Sequence, residues 1–361
     1  MNKLYYEKLI NMMQLEGIDA FLVVPSEELM FIAGFSPYLC ERFQGLFIKQ
    51  NGDHFYFCNQ LSKEEVEDHL PPEKVYGWYD YENFTDVLAE VLDKEDMLNK
   101  RIGVNSTARA FNILDIMEEV PVTFFNGKTQ LESIRLVKSK EEIEFLKEAA
   151  KRTDSVMEET LTFIKPGVSE SEIIDKVNEL FIKKEMVPEF AIIATGPNAA
   201  LPHYSGSERV VQEKDVVLLD IGGKYKGLCS DMTRTVFVGG MTEEELIAYH
   251  AVLDSINKGI EMVSVGVEAK MVDAEARKVI EESGYGNFFK TRLGHGIGYS
   301  VHEAPYINGN NDLCLGEGMA FSIEPGIYLK DKFGIRIEDI VIIEEGKGVP
   351  INKMTRDPII L

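Results

Sequence analysis

The chain is predicted to fold as two domains of different class. An α/β unit covers residues 1–130, and an α+β unit with signs of internal duplication covers residues 131–361. Three observations predict this. A chain of 361 residues exceeds what one core comfortably organises. Up to about residue 130, helix-like and strand-like stretches alternate, the pattern of a mixed sheet with helices packed on it. From Leu131 the composition turns to long charged helical patterns, and two later stretches each offer two helices followed by a carboxylate-bearing antiparallel hairpin.

The first element is an amphipathic helix: Leu4, Tyr5, Leu9, Ile10 and Met13 recur at helical spacing and lead into the strand AFLVV. GLFIKQ, the turn NGD and HFYFC follow, then the helical FTDVLAEVLDK at 84–94 and the short strands RIGVN and VTFFN. His54 and His69 have no companions at ligand spacing and read as surface residues of a strand and a helix end. The pattern from Leu131 runs as one long helix to the breaker KPG, with a capping box where Ser139 precedes Glu142 by three residues. A second helix, SESEIIDKVNELFIKKEM, precedes the strand FAIIATG. Further helices are expected near 242–263, with His250 as a structural mid-helix residue, and at 267–283.

Charge and cysteine usage exclude several function classes. A formal net charge of −23 argues against a nucleic-acid partner, which needs a basic face. The four cysteines are scattered without a CxxC pair, as in a reducing compartment, and read as small buried hydrophobes. The N-terminal stretch has charges throughout, unlike a signal peptide, and no run reaches eighteen uninterrupted apolar residues, so no membrane span and a cytoplasmic location are expected.

The chemistry concentrates in the second unit. Asp220 closes VVLLD and Asp231 opens DMTRTVFV; His295 lies in GHGIG, Glu324 in FSIEPG and Glu338 in GIRIEDIV. Carboxylates and one imidazole, without thiols, suit hard to borderline divalent ions such as Mn²⁺, Co²⁺ or Zn²⁺. If the hairpin around GGKYKG folds symmetrically about Tyr225 and Lys226, Asp220 and Asp231 lie directly opposite each other. Glu324 and Glu338 are equidistant from Asp331 in the turn LKDKFG. Cross-strand neighbours sit about 4.5–5.5 Å apart at Cβ, where like charges repel unless a cation binds them. Acidic residues also flank turns merely because turns are wet. Two such pairs together with GHGIG favour a two-metal site, an activated water and hydrolysis of an amide bond. Arg336, two residues before Glu338 on a strand, shares its face and suits pairing with a metal-binding carboxylate. The glycines around His295 permit close backbone approach.

Taken together, ATGPNAALPHY, LLDIGGKYKGLCSDMTRTVFVG, GHGIGYSVHEAP, FSIEPGIY and GIRIEDIV closely resemble the pita-bread metallopeptidases, in the branch of Xaa-Pro dipeptidase (prolidase) and Xaa-Pro aminopeptidase. The resemblance covers the whole chain. It implies a creatinase-like α/β N-terminal domain and an α+β pita-bread catalytic domain with pseudo-twofold internal symmetry. It also implies two divalent ions per subunit, Mn²⁺ or Co²⁺ foremost and Zn²⁺ as an alternative. Asp220 would chelate one ion, Asp231 and Glu338 would bridge both, and His295 with Glu324 would complete the other. Glu324 would in addition be the general base, and His203 in LPHY and His302 in VHEAP would hold the substrate and its developing oxyanion. The implied substrates are short proline-containing peptides and the implied assembly is a homodimer.

Where members of that family often have Leu and an acidic residue after GHGIG, this chain has Tyr299 and Ser300. Tyr306 stands where some dipeptidases carry an arginine for the substrate carboxylate. Tyr299 and Tyr306 are expected to wall the pocket against the proline ring. A dipeptidase is favoured over an aminopeptidase acting on longer peptides. Of the alternatives in other classes, a creatinase-type or binding homologue would lack several of the five ligands, and a methionyl aminopeptidase would lack the N-terminal unit.

Overall fold

A computed structural model describes residues 2–361, which divide into two compact units at Arg135 and Leu136. In the first unit the strands Ala20–Val23 and Arg101–Val104 pair in parallel inside a six-stranded mixed sheet. Thr123–Asn126 extends the sheet on one side, and the antiparallel strands Gly45–Lys49 and His54–Asn59, followed by Val75–Trp78, extend it on the other. Ala20–Val23 is buried along its whole length, which explains why it reads as an unbroken apolar run rather than an alternating one. The first helix, Lys3–Glu16, buries Tyr5, Leu9 and Met13 and ends at Gly17 in the left-handed conformation. His69 is exposed and stacks on Phe35, whereas His54 is half-buried and shares a 3.1 Å hydrogen bond with the Tyr6 hydroxyl.

The second unit repeats one order of elements. Helices Lys140–Leu161 and Glu170–Lys183 pack on a sheet built from Val187–Thr195, Val216–Tyr225 and Met232–Phe237, closed at its edge by Ile359–Ile360. Helices Glu243–Met262 and Ala269–Glu282 pack on a second sheet running Glu303–Ile307, Gly294–Gly296, Ala320–Ile323, Asp339–Glu344 and Lys347–Pro350. Three of these four helices begin with a capping box, at Ser139/Glu142, Ser169/Glu172 and Thr242/Glu245. The box at Ser139 also corrects one expectation. The charged pattern from Leu131 is two helices, Lys128–Arg135 and Lys140–Leu161, because a residue capping a helix N-terminus has extended backbone and interrupts any helix before it.

The two hairpins are stitched together through buried polar groups. The Arg234 guanidinium, 1% exposed, donates to Asp339 Oδ1 at 2.8 Å, to the carbonyls of Thr233 and Glu338, and to those of Met354 and Thr355. Thr235 Oγ1 donates to the Arg336 carbonyl and accepts from the Arg336 amide. A buried guanidinium is tolerable only when its donors are satisfied, so this network holds the two hairpins in one relative position. Among the described residues no helix is long and apolar enough to cross a membrane.

Candidate metal centre

The first hairpin turns one residue later than expected. Lys226 and Gly227 both have positive φ (52° and 84°), as a tight two-residue turn requires, and Lys224 pairs with Cys229 and Tyr225 with Leu228 across it. Gly222 and Gly223 stay in the strand. A Cβ on Gly223 would stand 2.8 Å from the Phe181 ring, so that glycine serves close packing rather than turning. The consequence is a two-residue change of register: Asp220 faces Thr233, and Asp231 lies diagonally from it on the same side of the ladder. The second hairpin has the anticipated register. Ile323 pairs with Asp339 and Gly326 with Arg336, which leaves Glu324 and Glu338 level between them.

His295 enters from the neighbouring short strand Gly294–Gly296. A Cβ on Gly294 would collide with the Ser322 carbonyl and one on Gly296 with the Ala304 carbonyl, so only glycines allow this strand between its partners. The His295 amide donates to Ser322 Oγ at 3.0 Å, and Ser322 Oγ donates to Glu324 Oε1 at 3.2 Å. Nδ1 lies 3.1 Å from the Gly296 carbonyl, which can only accept, so Nδ1 carries the proton there. Nε2 then faces carboxylates, 3.2 Å from Glu324 Oε1 and 3.6 Å from Asp231 Oδ2.

These groups fit a cation. Asp231, His295 and Glu338 each offer a ligand atom, all within 4.8 Å of one another. Asp220 Oδ1, Asp231 Oδ1 and Glu338 Oε1 are buried without a hydrogen-bond partner, an arrangement that burial penalises heavily for bare carboxylates. Burial first, and then the neighbouring carboxylates, push Asp231 and Glu338 well above the usual carboxylate range. Burial also opposes ionisation of Glu324, but the His295 hydrogen bond and charge outweigh it and hold that carboxyl below its ordinary value. The remaining oxygens are already oriented: Thr233 Oγ1 donates to Glu338 Oε2 at 2.7 Å, and Arg336 Nη2 donates to Asp220 Oδ2 at 2.5 Å. Arg336 also donates to Thr233 Oγ1, to the Tyr328 hydroxyl and to the Pro202 carbonyl next to His203.

All five candidate ligands line one open cavity of about 680 Å³, together with Arg336, His203 and His302. The His302 ring meets that of His295 edge-on at 4.2 Å. Burial, and then His295, push its protonation down to about 4, so it is a neutral imidazole with one N–H to donate. Phe190 and Ile192 supply an apolar flank. Neither Tyr299 nor Tyr306 lines this cavity, contrary to expectation. Tyr299 packs beside the apolar cluster of Leu146, Ile297 and Ile340, and Tyr306 lies under the guanidinium of Arg292, 5.0 Å from the ring centroid. Arg292, which does line the cavity, escaped the sequence reading, as did Thr233 and Ser322. Ser322 was findable, since it shares a strand face with Glu324 two residues on. Arg292 bears no such mark.

The model of metallopeptidase family M24 matches residues 144–345, and that of the creatinase/prolidase N-terminal domain matches residues 6–137. The chain belongs to metallopeptidase family M24. It is 33% identical in sequence to a prolidase from Thermococcus sibiricus, with a TM-score of 0.93 over 100% of this chain and 99% of that one. A dipeptidase from Pyrococcus horikoshii OT3 is 35% identical, with a TM-score of 0.91 over 99% and 100%. The putative dipeptidase YkvY of Bacillus subtilis is 31% identical over 96% of each chain. The fold is therefore a creatinase-like N-terminal domain followed by the pita-bread catalytic domain, and the protein is a metallopeptidase whose family uses divalent ions.

Proposed function

We propose that this M24 peptidase is a dinuclear-metal dipeptidase that hydrolyses the Xaa-Pro bond of dipeptides or short peptides. The observation that carries the metal part is the set of three buried, partnerless carboxylate oxygens, of Asp220, Asp231 and Glu338, in the cavity that His295 also lines. Asp220, Asp231, His295, Glu324 and Glu338 would hold two ions, with Mn²⁺ or Co²⁺ favoured by a donor set of oxygen and imidazole. When bound, the ions supply Lewis acidity that makes water a nucleophile at neutral pH. The residues of the chain do the rest. Glu324, held ionised beside His295, accepts the proton lost by the attacking water. His302 and His203 donate to the carbonyl oxygen as negative charge develops on it. Arg336 holds Asp220 in place, and through the Pro202 carbonyl ties the segment carrying His203 to the same anchor.

Proline as the leaving residue is supported by the likeness to a prolidase and by the apolar flank of Phe190 and Ile192, against which a pyrrolidine ring can pack. One observation favours a second reading, an Xaa-Pro aminopeptidase acting on longer peptides. A further depression of about 590 Å³ adjoins the cavity at Thr291 and Arg292 and offers room for additional residues. The test is metal content measured alongside rates on Ala-Pro, Ala-Ala and Ala-Pro-Ala. Chelation should abolish activity and Mn²⁺ or Co²⁺ restore it. Equal rates on Ala-Ala and Ala-Pro would remove the proline claim, and faster cleavage of the tripeptide would select the second reading.

A further inference from the structure

His203 is exposed where it lines the cavity, and among the described residues its ring makes no hydrogen bond. Between the 3₁₀ helix Gly196–Ala200 and the strand Val216–Tyr225 the chain around it forms no helix or strand. Its position therefore comes from its neighbours along the chain. Pro202 is fixed through its carbonyl, which accepts from Arg336 Nη1 at 3.3 Å. Tyr204 is fixed through its hydroxyl, which donates to Glu170 Oε2 at 2.9 Å and accepts from Asn198 Nδ2 at 2.9 Å. Glu170 is wholly buried in the first turn of the helix Glu170–Lys183. Its Oε1 accepts from the Thr195 amide and hydroxyl and from Asn198 Nδ2, and its Oε2 accepts also from the Arg209 amide. A buried carboxyl held from several sides is a rigid anchor. Burial, and then the Glu170 hydrogen bond, push the Tyr204 hydroxyl up to about 12, so it keeps its proton and donates. Gly206 leaves it room, since a Cβ there would stand 2.2 Å from the hydroxyl oxygen.

We infer that Tyr204 is a positioning residue for the peptidase reaction: its hydroxyl, pinned to buried Glu170, holds the backbone that presents His203 to the cavity. The inference rests on the proposed role of His203 and deepens it. The pins at Pro202 and Tyr204 flank His203 on both sides, so the ring is aimed without any bond of its own. A donor to a developing oxyanion is effective only at the right distance and angle, and a displacement of about 1 Å can cost on the order of 10²-fold in rate. The Tyr204 hydroxyl touches neither substrate nor ligand and acts only through the histidine beside it.

The test is a double-mutant cycle of Tyr204→Phe and His203→Ala on the metal-loaded enzyme with Ala-Pro. Tyr204→Phe removes one oxygen and keeps the ring, and Thr195, Asn198 and Arg209 still satisfy Glu170, so the fold should survive. It should lower kcat by about 10- to 100-fold and leave KM within about twofold, the split expected when an interaction of the transition state is lost. In the His203→Ala background the same change should cost less than about threefold, because the residue it aims is already gone. A Tyr204→Phe enzyme with wild-type kcat, or an equal loss in both backgrounds, would overturn the inference. The second readout is the His203 ring signal in ¹H–¹³C NMR of Zn²⁺-loaded protein, identified by its disappearance in His203→Ala. Tyr204→Phe should broaden or split it and leave the signal of His250 unchanged, which also shows that the variant is folded. If Ala-Pro is not cleaved, or if His203→Ala turns over like the wild type, the proposed role of His203 fails, and the NMR signal alone decides the pin. A His203 signal as sharp in Tyr204→Phe as in the wild type would overturn it.

Discussion

The two hairpins of the catalytic domain carry the same cargo, a pair of carboxylates, on different scaffolds. In the second, Glu324 and Glu338 are level across a ladder whose loop is centred on Asp331, itself in the left-handed conformation at φ 62°. In the first, Asp220 and Asp231 are two residues out of register and meet diagonally, because the turn falls on Lys226 and Gly227. The difference teaches that a shared face matters more than exact opposition. A change of register by two preserves the face, whereas a change by one would send Asp231 to the other side of the sheet. The level pair and the diagonal pair converge through His295, which stands within 3.6 Å of one carboxylate from each hairpin.

The largest expected effect breaks the second hairpin's chemistry without altering its shape. Glu324→Gln should lower kcat on Ala-Pro by on the order of 10²–10⁴, the range for loss of a positioned general base. Metal content measured on the same sample shows whether an ion has been lost as well. Next comes His302→Ala, which should cost on the order of 10²–10³ in kcat. His250, exposed on the helix Glu243–Met262, provides the contrast: His250→Ala should leave turnover close to that of the wild type. Equal damage from the two histidine changes would misplace the site.

A smaller effect tests the turn that sets the first hairpin's register. Gly227→Ala places a Cβ at φ 84° and should destabilise the fold by about 1–2 kcal/mol, read from urea denaturation of metal-free protein. The finest test concerns charge. In metal-free protein the Glu338 carboxyl is raised by burial and by its carboxylate neighbours, so its favourable native protonation is complete at low pH and is lost as pH climbs through the raised native value. Glu338→Gln has no ionisation to pay for. Its melting temperature should match the wild type below roughly pH 4, near the ordinary glutamate value, and exceed it increasingly as pH rises above that. Saturating Mn²⁺ should reverse the order, since only the wild type keeps the full ligand set. A Glu338→Gln protein less stable than wild type at pH 8 without metal would contradict the electrostatics described for the two pairs.

Much of the site was legible because its members carry local marks. GHGIG announces a strand that only glycine can form, and IEPG and RIED flank a loop whose centre is plain. The first turn was misplaced because three glycines compete for it, and which of them turns depends on what packs against the others. Phe181, more than forty residues away in sequence, keeps Gly223 in the strand. Tyr299 and Tyr306 were misread for a related reason. An aromatic next to a motif can face the cavity or pack beside it, and the cluster at Leu146, Ile297 and Ile340 and the cation of Arg292 determined which.

By itself the sequence determined the order of helices and strands, the capping boxes that start three catalytic-domain helices, and the identity of the carboxylates and histidines. Those properties depend on neighbours within about four residues, where backbone hydrogen bonding and side-chain spacing act directly. Only the tertiary structure decided the partners of the three arginines. Arg336 reaches Asp220 across 116 residues of chain and Arg234 reaches Asp339 across 105, while Arg292 stands over the Tyr306 ring. A guanidinium on a long side chain takes whatever acceptor the packed strands bring within reach, and no spacing along the chain encodes that choice.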